Sequence, residues 1–579
     1  MSDEPKVSSR LFRGYGPLVG FILTMVIIAN FLPTQRRPTE VRDTGGGNDA
    51  SALEYADGET TDTVAPTDVA GETTVVADPT ATTAPGATPG APTAPGGNTA
   101  APKPTAKRPA GGKPSSDAAA GRNPCTDRPT QVPADPYSPN CYTWTAGADN
   151  GGATSPGVTG TSIKVAVRID TFLDGLNNAL AKAAGAKELA ETPEVVKRTF
   201  TGLVQYFNSK YQFYGRKIEL VMYGGKGDVL QEALGGGQEG AQQDARNVAK
   251  DIGAFADASA VTVPYADALS QQKVINIGAP YVSKDWLNKR KPYSWTPLTD
   301  CSTVVSAVAS YYVTKLARKP AAWAGGDLKD QPRRAGVVAP DNSWYQECVN
   351  AGIKVLNDAG FGSDLVTNLQ YRLDLNAMSN QAASLLPKLK AAGVTTVLCG
   401  CDPVLLSFLT GQAKQQGYYP EWVETGVAYS DQDLVGQLFE PSVWKRSFGV
   451  SYAGTTVPIK SSFAYQAYKA SGQPGEPSIG AQIIFDQLQL LAIGIQMAGP
   501  TLNPGTFESG MFAYLPRSGI SGRWDFGPGD YSTSSDAREI FWDPDATSVQ
   551  NGKKGGWKET SKDRYPIGKW PAGDPNVPK

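Results

Sequence analysis

Residues 163–169 are Ile163-Lys164-Val165-Ala166-Val167-Arg168-Ile169, a short run rich in β-branched and apolar side chains. Such a run is typical of a strand that is buried on both faces of a parallel sheet. After it, amphipathic helical stretches alternate with further short apolar runs, and this alternation indicates repeated βα units. The chain from residue 161 onward is therefore predicted to adopt a doubly wound α/β fold.

The first predicted helix has a well-formed start, since Thr192 is placed to cap it, Pro193 suits its first position and Glu194 favours its dipole. The same series continues with strands 218–223 and 274–277 and helices 242–252 and 265–271. A second series follows the break at 293–297, with strands 335–338, 364–369 and 395–398 and helices 302–316, 344–359, 378–391 and 404–416. Two such series predict two sheets and hence two Rossmann-like lobes.

The stretch 479–497 is strongly apolar but contains Asp486, Gln487 and Gln489. Because a membrane span tolerates few such side chains, we predict a buried core helix there.

Residues 15–32 are apolar or small and carry no charge. About 18 residues at about 1.5 Å per residue are just long enough to span a bilayer. We predict a transmembrane signal anchor, with a cytoplasmic tail at 1–14. A cleaved signal peptide is the alternative, although no small-x-small cleavage site ends the run. Basic residues flank the segment on both sides, so the positive-inside rule does not decide its orientation.

Residues 33–122 consist almost wholly of Thr, Ala, Pro, Gly and Asp, and this composition is typical of a disordered linker. Roughly 90 such residues reach about 50 Å as a flexible coil. Thr/Pro-rich stalks are typical of surface proteins. We therefore expect a single-pass protein of the cell membrane whose C-terminal domain is extracytoplasmic.

The composition argues against several classes of function. The chain has no histidine, which removes histidine-containing triads and histidine zinc sites. Its net charge is -2 and no long basic run occurs, so nucleic acid is not an expected partner. No nucleophile elbow, Walker loop or Ser-x-x-Lys context is found. No catalytic residue, cofactor or metal is therefore expected.

The six cysteines are an even number, which is consistent with disulfides in an oxidising compartment, and sequence alone allows fifteen pairings. We predict a Cys125–Cys141 disulfide in a collar at 123–160. A Cys301–Cys348 disulfide is predicted because both residues fall near the starts of consecutive helices. Cys399 and Cys401 are either joined in a short loop or free. Their spacing disfavours a zinc site.

Several phrases carry a family resemblance. They include Gly157-Val158-Thr159, Tyr214-Gly215-Arg216, Leu389-Lys390-Ala391-Ala392-Gly393, Gln412-Ala413-Lys414-Gln415-Gln416-Gly417 and Gly519-Ile520-Ser521-Gly522. In this order, over about 157–545, the chain resembles the type I periplasmic binding proteins of the leucine/isoleucine/valine-binding family. The resemblance implies two lobes joined by three crossings. Lobe 1 would hold about 161–296 and 450–512, lobe 2 about 297–449 and 513–545, and 546–579 would be a C-terminal tail.

In such folds ligands bind beyond the carboxyl ends of the parallel strands. The expected ligand-binding positions are Asp170, Thr171, Asp257, Ser259, Ala279 and Tyr281 in lobe 1, and Trp344, Tyr345, Cys401, Asp402, Glu424 and Thr425 in lobe 2. For each position the alternative is a loop residue that only turns the chain or caps a helix. Asp257 stands beside the hydroxyl that the family uses for an α-carboxylate, and Cys401 replaces a family aromatic. Both departures disfavour a standard branched-chain amino acid.

Acidic residues dominate these strand ends, and no Lys or Arg occupies the same short loops. Closing two lobes over unpaired carboxylates disfavours an anionic solute and favours a cationic or zwitterionic amine, an amide or a polyol. The alternative is that these acids cap helices and face solvent. The resemblance thus implies capture of a small polar solute, such as an amino acid or amide, for an ABC-type importer with a permease partner. A ligand-sensing or cell-envelope interaction module without a transport role is the alternative.

Overall fold

The computed structural model describes residues 121–169, 192–454, 456–478 and 480–578. The predicted cytoplasmic tail, the anchor at 15–32 and nearly all of the linker lie outside the described residues. The strands are β1 Arg122–Pro124, β2 Tyr142–Trp144, β3 Ser162–Ile169, β4 Lys217–Gly224, β5 Ala256–Asp257, β6 Ile275–Ile277, β7 Ser294–Trp295, β8 Ala335–Pro340, β9 Leu365–Tyr371, β10 Thr396–Cys399, β11 Glu421–Glu424, β12 Ser447–Ser451, β13 Arg517–Gly519, β14 Gly522–Trp524, β15 Asp536–Thr547, β16 Lys554–Glu559 and β17 Tyr565–Pro566.

The helices are α1 Pro193–Lys210, α2 Val229–Ala233, α3 Gln238–Arg246, α4 Val263–Gln271, α5 Lys284–Lys289, α6 Cys301–Tyr311, α7 Ser343–Asp358, α8 Met378–Ala391, α9 Pro403–Gln415, α10 Asp433–Gly436, α11 Pro441–Trp444, α12 Phe463–Ala470, α13 Ala481–Ala498 and α14 Pro504–Ala513. Helices α3 and α6 each continue into a π-helical turn, Asn247–Ile252 and Tyr312–Leu316. Thr192 precedes α1 in an extended conformation, but its side chain makes no capping hydrogen bond, because its carbonyl accepts from Val195 N instead.

The two main sheets repeat one topology. The first has the order β4-β3-β5-β6-β7 and is parallel throughout. The second contains the parallel order β9-β8-β10-β11-β12 and adds the antiparallel strands β15, β16 and β17. We call the first sheet with its helices lobe 1 and the second with its helices lobe 2. The doubly wound α/β architecture predicted from the sequence is confirmed.

The boundary between the lobes differs from the prediction in two places. Residues 513–531 were expected in lobe 2, but Tyr514, Trp524, Phe526 and Tyr531 are buried in the hydrophobic core of lobe 1. The rings of Phe526 and Tyr531 pack against Trp295, so burial holds this segment on lobe 1. The chain therefore enters lobe 2 only at β15.

The second difference concerns 546–579, which was expected to be a tail. This segment forms β16 and β17 on β15, and Trp570 is buried against α6. The Nε1 group of Trp570 donates a hydrogen bond to the Ala307 carbonyl at 3.2 Å. The segment is thus part of lobe 2.

The collar is built into lobe 1. Strands β1 and β2 pair, and Cys125 is joined to Cys141 across them. Tyr137 stacks on Trp524 with ring centroids 4.3 Å apart, and Asp135 accepts a hydrogen bond from Tyr211 Oη at 3.0 Å.

Helix α13 is the predicted core helix. It is the one helix among the described residues that is long and apolar enough to cross a membrane, yet 78% of it is buried inside the protein. It packs against α1 and α14 and donates most of its side chains to the core of lobe 1. The preference for a core helix is confirmed.

Candidate functional site

The loops that follow the parallel strands define the candidate site. Both sheets have the flavodoxin-like order 2-1-3-4-5, in which ligands bind where the winding direction reverses. In lobe 1 this point lies beyond β3 and β5, and in lobe 2 beyond β8 and β10. Of the predicted site residues, Asp170 and Thr171 lie outside the described residues.

Asp257 ends β5 and is fully buried. Its carboxylate accepts hydrogen bonds from Ser259 N at 2.7 Å, Ser259 Oγ at 2.8 Å and Tyr265 Oη at 2.8 Å. Ser259 Oγ in turn accepts a hydrogen bond from Arg168 N at 2.8 Å. Burial raises the pKa of Asp257, and these donors and the charge of Arg168 oppose that rise. Asp257 and Ser259 therefore support their loop from within, and the structure does not present them to the cleft.

Ala279 and Tyr281, the other two predicted positions of lobe 1, differ in how deeply they are buried. Ala279 is fully buried in the core. Tyr281 is half-buried and has a positive φ of 50°. Burial raises the pKa of the Tyr281 hydroxyl well above its usual value, and the nearby groups of Tyr429 and Asp431 raise it further. Since Tyr429 and Asp431 belong to lobe 2, Tyr281 faces the opposite lobe across the cleft.

Helix α7 supplies Trp344 and Tyr345 from its first turn. Both rings are half-buried, and their centroids lie 6.0 Å apart. Burial raises the pKa of Tyr345 to about 12, and the charge of Asp402 adds to the rise. These two aromatic residues thus line lobe 2's side of the cleft, near the N-terminus of α9.

Asp402 is the N-cap of α9. Its Oδ1 accepts hydrogen bonds from Val404 N at 2.8 Å and Leu405 N at 3.1 Å, and its Oδ2 accepts one from Tyr371 Oη at 2.7 Å. Burial raises its pKa, while these donors act in the opposite direction. Asp402 therefore caps a helix, as the alternative interpretation of the acidic residues proposed.

The preceding residues form a covalently closed turn. Cys401 is buried and joined to Cys399, so the two cysteines are not free. Cys301 is joined to Cys348, which links α6 to α7. The Cys399–Cys401 disulfide fixes the turn that carries Asp402 at the end of β10.

Glu424 ends β11 and is buried by its own loop. Its Oε1 accepts hydrogen bonds from Thr425 N at 2.8 Å, Gly426 N at 2.6 Å and Ser430 Oγ at 2.5 Å. Burial, then the charge of Asp431, raises the pKa of Glu424 to about 7 against these donors. Thr425 is also buried, and its Oγ1 donates to the Cys399 carbonyl at 3.1 Å. Glu424 and Thr425 thus shape the loop.

The loop after Thr425 carries an unusual backbone. Gly426, Ala428 and Tyr429 have φ values of 74°, 51° and 61°. Left-handed conformations at residues other than glycine are costly and concentrate at functional sites. Together with Tyr281, these residues place strained backbone on both sides of the cleft.

Three site residues were not selected from the sequence: Tyr429, Asp431 and Asp486. The ring of Tyr429 is 37% exposed, although burial raises the pKa of its hydroxyl to about 12 and the charge of Asp486 contributes next. Tyr429 is therefore both surrounded by protein and reachable by solvent. Asp431 accepts a hydrogen bond from Ser451 Oγ at 2.6 Å. The sequence signal for Asp486 is its position as an acidic residue within the apolar stretch 479–497. That signal distinguishes a core helix from a membrane span, and it does not by itself indicate a ligand contact.

Asp486 lies on the second turn of α13 and is half-buried. Its Oδ1 accepts a hydrogen bond from Gln482 Nε2 at 2.8 Å. Burial raises its pKa to about 7, and the charge of Asp135 adds to the rise. A Cβ at Gly278 would come within 2.7 Å of Gln487 Nε2, so this part of α13 abuts the loop that carries Tyr281.

The lobes touch across the cleft. Ser283 Oγ of lobe 1 donates a hydrogen bond to Glu347 Oε1 of α7 at 2.7 Å. A Cβ at Gly235, between α2 and α3, would lie 2.5 Å from Asn342 Nδ2 and 3.1 Å from the Trp344 ring. The cleft is therefore closed at its rim.

The described residues of the site are mainly aromatic rings and carboxyls. In the described part of the chain, no group of Cys, Asp and Glu is positioned to hold a metal ion. Its tyrosines are held protonated by burial, and its carboxyls have raised pKa values. Such a mixture of rings and carboxyls suits non-covalent recognition of a small molecule.

Comparison with known proteins agrees with this description. The family model for periplasmic binding proteins matches residues 196–541, more than half of the chain. The chain therefore belongs to the type I periplasmic binding proteins, in the branched-chain amino-acid group of that fold. Members of this family are solute-binding proteins that work outside the cytoplasm, so the domain is an extracytoplasmic solute-binding domain. No curated protein matches the chain in a sequence search.

Solved structures with a similar fold include three binding proteins. One is the solute-binding protein of an ABC transporter from Rhodopseudomonas palustris HaA2 with p-hydroxybenzoic acid, at 12% identity and a TM-score of 0.49, covering 70% of this chain and 97% of that one. Another is a fatty acid ABC transporter substrate-binding protein from Thermomonospora curvata. Its sequence identity is 16% and its TM-score 0.46, and the match covers 72% of this chain and 98% of that one. The third is a branched-chain amino-acid transporter substrate-binding protein from Streptococcus pneumoniae with isoleucine. Its sequence identity is 16% and its TM-score 0.43, and the match covers 69% of this chain and 99% of that one.

Proposed function

We propose that the protein is a membrane-anchored, extracytoplasmic receptor that captures a small polar solute, such as an amino acid or amide, between its lobes. It delivers this solute to an ABC-type importer through a permease partner. The apolar segment at 15–32 serves as the anchor, and the Thr/Pro-rich linker gives the domain reach above the membrane. Three disulfides support an oxidising compartment.

The observation that carries the proposal is the two-sided composition of the cleft. Lobe 1 contributes Tyr281 and lobe 2 contributes Tyr345 and Tyr429, and all three side chains are deep but accessible. A ligand held between rings from both lobes would hold the lobes together, which is how a binding protein couples capture to closure.

A thermal-shift screen on the full-length protein tests the proposal, over amino acids, amides, amines, polyamines, sugars, dicarboxylates and phosphate. A ligand at 100 times its Kd adds about 2.7 kcal/mol of stability. We expect at least one small solute to stabilise the wild type and to lose its effect in the Tyr345→Ala variant. Tyr465→Ala, a half-buried tyrosine of α12 outside the cleft, is the matched control. No stabilisation by any solute would contradict the proposal.

The location has a separate test. Protease added to intact cells should degrade the C-terminal domain, because the domain is expected outside the membrane. Survival of that domain would contradict the proposed orientation.

A further inference from the structure

The carboxyls around the cleft differ in the hydrogen-bond donors and positive charges that the protein places next to them. Asp402 and Glu424 each accept three hydrogen bonds, and all of those donors come from lobe 2. Asp431 accepts a hydrogen bond from Ser451, and the charge of Arg538 acts on it. These three acids are therefore supported within their own lobe and are not available to hold a ligand's charge.

Asp486 is different. In the described part of the chain, its carboxyl accepts one hydrogen bond, from the neutral amide of Gln482. No lysine or arginine there forms an ion pair with it. The other groups whose charge acts on it or that feel its charge are Asp135, Tyr137 and Tyr429, and none of these is basic. A half-buried carboxyl in such surroundings favours an incoming cation.

Exposed apolar side chains lie near this carboxyl. Tyr429, on which the charge of Asp486 acts, is 37% exposed, and Ile483, three residues before Asp486 on α13, is 42% exposed. Tyr281 is half-buried and close to Tyr429, and its loop abuts α13 where Gly278 approaches Gln487. Rings present a negative face, so they also favour a cation or its attached apolar carbons.

We propose that the solute carries a protonated amine on an aromatic or otherwise apolar body, and that Asp486 binds the amine while the rings of Tyr281 and Tyr429 pack against the body. This inference rests on the proposed solute-binding function and specifies its substrate class. Under this proposal a carboxyl of lobe 1 binds the positive charge of the ligand, whereas the sequence predicted that the acidic residues at the strand ends would do so.

Three probes that share one ring test the proposal: tyramine, 4-hydroxyphenethyl alcohol and 4-hydroxyphenylacetate. They carry a cation, a neutral hydroxyl and an anion at the same position. Titration calorimetry on the full-length protein in nanodiscs at pH 8 should show tyramine binding about 10- to 100-fold more tightly than the alcohol, since a hydrogen bond to a charged group has about that effect. The acid should bind more weakly than the alcohol.

Asp486→Asn should remove the preference for tyramine over the alcohol, and Asp486→Glu should restore part of it. Asp251→Asn, the same change at an exposed site on lobe 1, is the matched control and should keep the wild-type preference. Equal binding of the three probes, or a preference that survives in Asp486→Asn, would overturn the inference. So would tight binding of a solute that lacks a protonated amine, with none of tyramine. If no solute binds at all, the proposed function fails together with the inference.

Discussion

At the scale of single residues, Glu424 makes stability depend on pH. Its pKa is raised from 4.5 to about 7 in the folded protein, mainly by burial and then by Asp431. The folded state thus holds this proton more tightly than the unfolded chain does. The resulting stability is fully present below pH 4.5 and is lost as pH rises through about 7. The difference is about 3 kcal/mol for Glu424 alone.

Urea unfolding at pH 5 and pH 8 measures this effect. We expect Glu424→Gln to reduce the loss of stability between the two pH values by about 2.5 kcal/mol relative to the wild type. Part of the loss should remain, because Asp257, Asp402 and Asp431 also have raised pKa values. Glu194→Gln, on the exposed first turn of α1, is the control. An unchanged difference in Glu424→Gln would contradict the assignment.

Individual site residues could be predicted only in part. The strands that precede Trp344 and Cys401 were predicted from the hydrophobic pattern, whereas the short strands that end at Asp257 and Glu424 were not. Which side chains face the cleft could not be inferred in the same way. Asp257 is turned inward by Tyr265 and Ser259, and Asp402 by the amides of α9. These partners come from other segments, so only the folded structure reveals them.

At the scale of elements, the two helices that open lobe 2 are held by a disulfide. Cys301 starts α6 and Cys348 lies on α7, with a sequence separation of 47. Cross-linking a loop of this length constrains the unfolded chain by about 4 kcal/mol in the chain-entropy model. The Cys399–Cys401 disulfide closes a loop with a separation of only 2, for which the same model gives about 1.6 kcal/mol.

Guanidinium unfolding of two double variants compares these disulfides. We expect the serine double variant at 301 and 348 to lose about 4 kcal/mol and the one at 399 and 401 about 1.6 kcal/mol. The second variant serves as the control for loss of a buried disulfide. Equal losses would mean that local packing, rather than loop closure, determines the contribution of these bonds.

Element types followed the sequence closely wherever periodicity was strong, as in α8, where the predicted and observed bounds coincide at Met378–Ala391. The strands added by the last segment were missed for a physical reason. Strand β16 is Lys-Gly-Gly-Trp-Lys-Glu, an edge strand with charges and glycines. Charges and glycines protect an edge strand against aggregation. Because they also remove the alternation of apolar residues, the strand cannot be predicted from hydrophobic pattern.

At the scale of the whole molecule, the two lobes could be predicted, since two βα series imply two sheets. The third crossing could not be located, because Phe526 and Tyr531 pack against Trp295, more than two hundred residues earlier in the chain. Lobe closure was likewise beyond sequence, as it depends on contacts such as that between Ser283 and Glu347.

Gly235 lies at the rim of lobe 1, where the chain approaches lobe 2 closely. Gly235 has a φ of 95°, and a Cβ there would lie 2.5 Å from Asn342 Nδ2 and 3.1 Å from the Trp344 ring of lobe 2. Contacts under 3.0 Å force something to shift, and the side chains opposite are short or rigid. We expect Gly235→Ala to hold the lobes apart, which raises the radius of gyration in small-angle scattering.

The same variant should bind the solute found in the screen about tenfold more weakly, because part of the binding energy is then spent on forcing closure. Gly253→Ala is a matched control, since its φ of 64° is also positive but nothing lies within 4 Å of the added Cβ. It should lose about 1 kcal/mol of stability from backbone strain and keep its affinity. If Gly235→Ala binds as tightly as Gly253→Ala and scatters identically, the contact at Trp344 does not control closure. Closure would then depend on other contacts between the lobes, such as that between Ser283 and Glu347.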